Sequence, residues 1–302
     1  MPDAAVARRR TVHYLRRARA ILRSKLRGRV RWERPLRLRP WQPVSSGDVP
    51  ERGAWCVLCD WRGERFEGGF HSESAACPRC QSVARDRFLY FCMFQRVPYR
   101  RDLRMLETSP RLGRGYRSAM ARRVHYLASD YDERAHKADT KLDLTRMALP
   151  DASLDLVLTA HVLEHVPDTG AVLSELYRVL RPGGRMLIQV PLTQPVTAPP
   201  PEPEFHGDKT PVFWRFGLDF TQRLCKEGFA TTLLVTQDFR RRVVERDTTW
   251  PEGISGEFDA VAMVNSADPA DLTVVADDAV AARGWLRPSY MHSVWECVKP
   301  SG

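Results

Sequence analysis

The segment Leu142–Pro191, LDLTRMALPDASLDLVLTAHVLEHVPDTGAVLSELYRVLRPGGRMLIQVP, constrains the fold more than any other part of the chain, because two apolar runs flank one amphipathic helix. Leu154 to Leu158 is short enough for a strand buried on both faces of a parallel sheet, and it ends in Thr159 and Ala160. A polar loop follows at His161 to Asp168. From Thr169, the residues Val172, Leu173, Leu176, Val179 and Leu180 fall at helical spacing, with Arg178 and Arg181 in the last turn, where the helix dipole favours cations. Pro182, Gly183 and Gly184 stop that helix, and Met186 to Val190 reads as a second buried strand. Strand, helix and strand in this order predict a crossover of a parallel sheet. Such sheets bind ligands beyond the carboxyl ends of their strands, so Thr159 to His165 and the residues from Pro191 onward are the first candidates for a site.

The preceding stretch repeats the logic. Leu103 to Thr108 (LRMLET) reads as a strand ending in an acidic residue, Glu107. It is followed by the loop Ser109, Pro110, Arg111, Leu112, Gly113, Arg114, Gly115 and a helical run to Arg123. Val124 to Leu127 is the next predicted strand, leading to Ser129, Asp130, Tyr131 and Asp132. A strand with Glu, a loop, a helix and a strand with Asp is the nucleotide half of a Rossmann-like sheet. The acid after the second strand is suited to the two hydroxyls of a ribose.

The cysteines point to a separate module. Cys56-x2-Cys59 and Cys77-x2-Cys80 have the spacing of two knuckles closing one tetrahedral zinc site. Four thiolates leave no open position, so the metal would be structural. Disulfides are the alternative, and without a secretory signal zinc is the stronger expectation. Cys92, Cys225 and Cys297 read as isolated buried residues. After Cys80, the residues Val83, Phe88, Phe91, Cys92 and Phe94 predict a helix that ends before Pro98 and docks this ribbon on the sheet.

With these residues in view, the region from about Leu103 to Val264 resembles class I S-adenosylmethionine-dependent methyltransferases of the type 11-like group. These carry LPDxSxDLVLxxHVLEHVPD, here Leu149–Asp168, followed by LxELYRVLRPGG, here Leu173–Gly184. The resemblance implies an α/β fold, a Rossmann-like class I methyltransferase sheet that is mostly parallel with one antiparallel strand, preceded by the small zinc ribbon. It also implies a cofactor site. Glu107, Thr108, Ser109 and Gly113 would hold the methionine end, Asp130 with Tyr131 the ribose, and Asp143 with Leu144 the adenine. Ala160 and His161 would line the methyl-donor channel. Most of that family has a glycine-rich first loop, whereas this chain reads Glu107, Thr108, Ser109, Pro110, Arg111, and glycine admits positive φ as serine and proline do not. A subgroup with a preceding cysteine ribbon and an Arg-x-Arg helix resembles this chain more closely, and Arg85 and Arg87 fit it.

Several side chains are candidates for the chemistry itself. His161, Glu164 and His165 match His-x-x-Glu-His, but that metalloprotease pattern requires one helix, and Pro167 follows within two residues. His165 or His161 could instead take the proton of a hydroxyl acceptor, since neutral imidazole is a suitable base near neutral pH. The other reading is that Glu164 and His165 brace the loop, with rate coming from alignment alone. Between Pro191 and Pro211 the chain has seven prolines, followed by HGDKTPVFWRFG, which suits a lid spanning 191–217. It offers His206, Asp208, Trp214 and Arg215 toward a substrate, or else is a linker with its aromatics in the core. Leu218 to Glu227 resembles the next helix, and Thr231–Thr236 with Phe258–Val264 would form a closing antiparallel pair.

Length, composition and charge bound the whole. The 302 residues and 43% hydrophobic content allow one main domain with attachments, and no apolar run approaches a bilayer span. A cytoplasmic protein is therefore expected. The net charge of +10 sits in residues 1–40, where 14 Lys and Arg face Asp3 and Glu33, which leaves −2 for the rest. The expected organisation is a basic arm (1–50, partly helical or disordered), the ribbon with its docking helix (51–98), the methyltransferase domain (99–265) and a C-terminal extension (266–302). In the arm, Leu15, Ala18, Leu22 and Leu26 share a helical face among arginines, which suits a solvated tail, an anionic membrane surface or RNA. The function expected is methyl transfer to a small-molecule or glycan-type acceptor. An RNA methyltransferase and an inactive scaffold are the alternatives, and the near-neutral body with no Asn-Pro-Pro-Tyr-like loop weighs against RNA.

Overall fold

The computed structural model describes residues 36–68, 75–132, 136, 138–192, 194–206, 209–249, 264–286 and 293–302. The basic arm up to residue 35, Asp208 and all of Phe258–Val264 but its last residue therefore lie outside the described residues. The described residues from Arg37 to Gly302 belong to one compact unit.

The ribbon comes first in this unit, as an antiparallel hairpin of β1 (Ala54–Cys56) and β2 (Trp61–Gly63). Helix α1 (Ala84–Arg96) follows, and Asp86 caps it by accepting the Val83 N–H at 2.9 Å. The predicted helix was to show one apolar stripe. Instead every residue from Arg87 to Phe94 is buried, so α1 is enclosed all round, packed on the main sheet between the ribbon and the pocket. Full burial of Phe88, Phe91 and Phe94 contributes roughly 2–3 kcal/mol each before entropy is counted.

The sheet domain continues with β3 (Arg104–Thr108), α2 (Arg114–Ala121), β4 (His125–Asp130), β5 (Thr140–Lys141), β6 (Leu154–Ala160), α3 (Thr169–Val179) and β7 (Leu180–Gln189). A small hairpin of β8 (Glu204–Phe205) and β9 (Pro211–Val212) interrupts it. Then come α4 (Phe220–Lys226), β10 (Ala230–Thr236), α5 (Gln237–Glu245), β11 (Leu272–Ala276), α6 (Asp278–Gly284) and β12 (Val294–Val298). The eight strands of the main sheet lie in the order β11-β10-β12-β7-β6-β3-β4-β5. Only β12 runs antiparallel to both neighbours, as expected for a mostly parallel sheet.

The identity of that antiparallel strand corrects the sequence reading. It is Val294–Val298, and it lies between β7 and β10, so residues 266–302 are no extension but supply two of the eight strands. The signal missed was the run Val294-Trp295-Glu296-Cys297, whose buried Glu296 hid a strand enclosed on both faces. Glu296 is tolerated there because Arg96 of α1 approaches it at 2.7 Å and Arg185 of β7 also bonds it. A second correction concerns Cys225, which is exposed, while Cys92 and Cys297 are buried as expected.

The two halves of the long motif are structural partners. Arg178 of α3 donates to the carbonyls of Leu149 at 2.8 Å and Met147 at 3.0 Å, and Glu175 accepts the Met147 N–H at 2.6 Å. Gly183 has φ +75°, and at Gly184 a Cβ would lie 2.8 Å from the Arg181 carbonyl oxygen, so the bulge at the start of β7 needs both glycines. Among the described residues no helix is long and apolar enough to cross a membrane.

Because β12 pairs on both sides, removing residues 293–302 splits the sheet and leaves β7 and β10 each with an open edge in its middle. The shortened chain is expected to lose its cooperative urea transition and to bind a dye for exposed apolar surface. A transition at the full-length midpoint would show that the sheet closes without β12.

Candidate functional site

From β3 the chain runs outward through β4 and β5 and then crosses back to β6 on the other side of β3, so the strand order reverses between β3 and β6, the position where open α/β sheets accept ligands. The two strand ends are joined there by a buried hydrogen bond between the hydroxyls of Thr108 and Thr159 at 2.8 Å. Beside them opens a pocket with about 280 Å³ of space including its open mouth, lined by Glu107, Thr108, Ser109, Arg111, Leu158 and Ala160 and by Asp86, Leu89 and Tyr90 of α1.

The residues that follow the two strands hold a conformation that side chains seldom adopt. Ser109 after β3 has φ +46° and His161 after β6 has φ +56°. Left-handed backbone costs a non-glycine residue on the order of 1–2 kcal/mol. Ser109 therefore takes the shape that the sequence reading reserved for glycine, held by its N–H to the Ser129 carbonyl at 2.7 Å. His161 is held by its N–H to the Gln189 carbonyl at 2.8 Å.

Glu107 lies where expected but is already engaged. Its carboxylate accepts the hydroxyls of Tyr90 at 2.6 Å, Tyr116 at 3.0 Å and Tyr126 at 2.7 Å. Burial pushes its pKa up while the three hydroxyls pull it down. The three tyrosines, from α1, α2 and β4, carried no recognisable signal in sequence, because they meet only in the folded chain.

The other proposed cofactor residues follow the neighbouring strand ends. Asp130 closes β4, with one oxygen 2.7 Å from His136 Nδ1 and the other accepting the Asp132 N–H at 3.1 Å. Tyr131 beside it is 68% exposed. Asp143 follows β5, exposed, and Thr145 hydrogen bonds to it from side chain and backbone hold its pKa down. Leu144 is buried in the core beneath. Gly113 caps α2 with ordinary φ −66°, and a Cβ there would meet nothing within 4 Å. Asp130, Tyr131, Asp143, Leu144 and Gly113 do not line the pocket itself.

After β6 the motif forms a single 3-10 turn, Leu163–His165, and not the long helix a metalloprotease needs. Glu164 is 1% exposed, with His161 Nδ1 at 3.5 Å and His165 Nε2 at 3.8 Å from its Oε1. Neither carboxyl oxygen accepts a hydrogen bond among the described residues. His165 Nδ1 lies 2.7 Å from the Pro211 carbonyl, which can only accept, so Nδ1 carries a proton and the lone pair of the neutral ring is on Nε2.

The Pro-rich segment is a strap tied across this turn. The Glu164 carbonyl accepts the Phe213 N–H at 2.7 Å, and Asp219 accepts the Thr197 N–H and hydroxyl at 2.6 and 2.7 Å. Trp214 and Arg215, read as substrate-facing, hold the strap in place. Trp214 Nε1 donates to the Pro167 carbonyl at 3.0 Å, and Arg215 pairs with Glu204 at 2.8 Å. His206 is exposed and edge-on to His165, with ring centroids 4.7 Å apart.

Cys56, Cys59, Cys77 and Cys80 are buried, with their sulfurs all within 4.8 Å of one another. Two of the pairs stand at 3.5 and 3.6 Å. Bonds of about 2.3 Å to one tetrahedral zinc would set sulfurs about 3.8 Å apart, whereas a disulfide would set them near 2 Å. Among the described residues this is the only such group of metal-ligating side chains; His161, Glu164 and His165 do not converge in this way.

Against known proteins, residues 113–188 match the family model described as a methyltransferase domain, which runs from the cap of α2 through all but the last residue of β7. A probable S-adenosylmethionine-dependent methyltransferase of Mycolicibacterium smegmatis is 35% identical over 111 residues, covering 33% of this chain and 42% of that protein. The 27-O-demethylrifamycin SV methyltransferase of Amycolatopsis mediterranei is 39% identical over 64 residues, 19% of this chain and 24% of its own. The malonyl-[acyl-carrier protein] O-methyltransferase of Yersinia pestis is 42% identical over 60 residues, 19% and 22%. The chain thus spans less than half the length of these relatives. A solved S-adenosylmethionine-dependent methyltransferase from Mesorhizobium loti superposes with a TM-score of 0.42 at 16% identity, over 72% of this chain and 98% of that one.

Burial raises the Glu164 carboxyl to about 7, against the opposing pull of His165 and Arg85. A carboxyl pKa raised by folding means that the native state favours the neutral acid. That contribution is complete below the ordinary value of 4.5 and is lost as pH rises through about 7. The stability of the wild type relative to Glu164→Gln is expected to fall by about 3 kcal/mol between about pH 4 and pH 8, read from urea unfolding. A difference that stays flat across that range would mean that the carboxyl is not buried as described.

Proposed function

We propose that this chain transfers a methyl group from S-adenosylmethionine to a small-molecule or glycan-type acceptor, and that its ribbon holds a structural zinc ion. The observation that carries the reading is the methyltransferase-domain match over residues 113–188, which takes in β6 and with it Leu158 and Ala160 of the pocket lining. The bound cofactor supplies an electrophilic methyl group on a sulfonium. The residues that fit it are Thr108, Ser109, Gly113, Ala160 and His161 near the switch point, Asp130 with Tyr131 for the ribose, and Asp143 with Leu144 for the adenine. Glu107, with three hydroxyls on its carboxylate, serves better as the anchor of the pocket floor than as a direct ligand.

The rest of the work is alignment. Holding donor and acceptor in line and away from water accounts for most of the rate in such a reaction. The strap over the 3-10 turn suits exclusion of water from the acceptor side, and His165, with its lone pair on Nε2, suits removal of a hydroxyl proton. Two of the relatives bear names of O-methyltransferases, which favours oxygen as the accepting atom.

Calorimetric titration of the full chain with S-adenosylhomocysteine is expected to show one site, and a methyl-label assay on cell fractions then reveals the acceptor class. Heat indistinguishable from dilution would refute the methyltransferase reading. Metal analysis is expected to find about one zinc per chain, and chelation to lower Tm sharply, since structural zinc sites contribute on the order of 10 kcal/mol. A metal-free protein with unchanged Tm would leave the cysteines as packing alone.

A further inference from the structure

The pocket is lined partly by α1, the helix that follows the ribbon in the chain and packs on the main sheet. Asp86, Leu89 and Tyr90 come from the first two turns of α1, and Ser109 and Arg111 of the β3–α2 loop line the same pocket. The carboxylate first expected to meet the cofactor, Glu107, is 5% exposed and gripped by three tyrosines. That leaves one other acid and one base among the pocket's lining residues. Asp86 is half-buried, and one of its oxygens accepts the Val83 N–H. Arg111 is exposed at the rim.

A carboxylate and a guanidinium lining one pocket complement a zwitterion. The amino-acid end of S-adenosylmethionine is one, with an ammonium and a carboxylate on the same carbon. We propose that Asp86 binds that ammonium and Arg111 that carboxylate, so that α1 and the β3–α2 loop supply the charged clamp for the cofactor's methionine end. This rests on the methyltransferase reading above. The position of Asp86 is set from the ribbon side. In the next position Arg87, fully buried, donates to the carbonyls of Ala75 at 2.9 Å and Ser82 at 2.6 Å on the second knuckle, and to Gly284 at 2.8 Å.

The clamp predicts a selectivity that a structural role would not produce. Methylthioadenosine shares the nucleoside and sulfur of S-adenosylhomocysteine but lacks the amino-acid chain. Asp86→Asn removes the charge and keeps an oxygen for the Val83 N–H, so the helix cap survives. In calorimetric titrations of the full zinc-loaded chain, Asp86→Asn is expected to weaken S-adenosylhomocysteine by about tenfold or more and to leave methylthioadenosine within about twofold. Arg111→Gln is expected to do the same, with Tm and zinc content unchanged in both. Equal weakening of both compounds, or weakening of neither, would overturn the assignment while leaving the methyltransferase reading intact. If the wild type binds neither compound, both fail together.

Discussion

The buried guanidinium of Arg87 is the interaction on which the arrangement around the pocket depends. Desolvation of an arginine is costly, and here three backbone carbonyls and the face of Phe66, 3.8 Å from the guanidinium carbon, offset that cost. Two of those carbonyls, Ala75 and Ser82, flank the second cysteine knuckle, and the third, Gly284, ends α6. One side chain thus fixes the ribbon, α1 and the C-terminal part of the sheet domain relative to one another. The pocket wall that α1 provides is only as rigid as that junction. A methionine of similar length would fill the volume and leave the three carbonyls without donors.

The second constraint is backbone strain placed at the two strand ends that frame the switch point. Ser109 and His161 each occupy left-handed backbone, and both are locked by a single strand-end hydrogen bond. Strain of this kind persists where the surroundings over-determine the conformation, and it clusters at binding sites. At Ser109 the turn keeps the shape a glycine would give while adding a hydroxyl at the pocket edge.

Much of this was readable from residue order. The crossover through β6, α3 and β7 followed from apolar runs and helical spacing, and the paired motifs proved to be held together by Arg178 and Glu175. The cysteine spacing located a cluster whose sulfurs do converge. What escaped is what sequence-local reasoning cannot carry. β12 was hidden because a buried glutamate broke its apolar pattern, and the ion pairs that permit it come from α1 and β7, far away in the chain. The tyrosine cage of Glu107 escaped for the same reason, as did the contribution of Asp86 to the pocket. Trp214 and Arg215 drew attention as exposed recognition groups, yet their partners Pro167 and Glu204 make them anchors of the strap.

The placement of β12 also governs how the chain must reach its native state. β7 and β10 are made long before the strand that fills the gap between them, and until it arrives each presents an open edge flanked by Leu187, Ile188, Leu233 and Leu234, all of which end up buried. Pairings across such long sequence separations form late and slowly. The half-built sheet is therefore the species at risk of edge-to-edge aggregation, and it is at this stage, more than in the finished protein, that a chaperone would find something to hold.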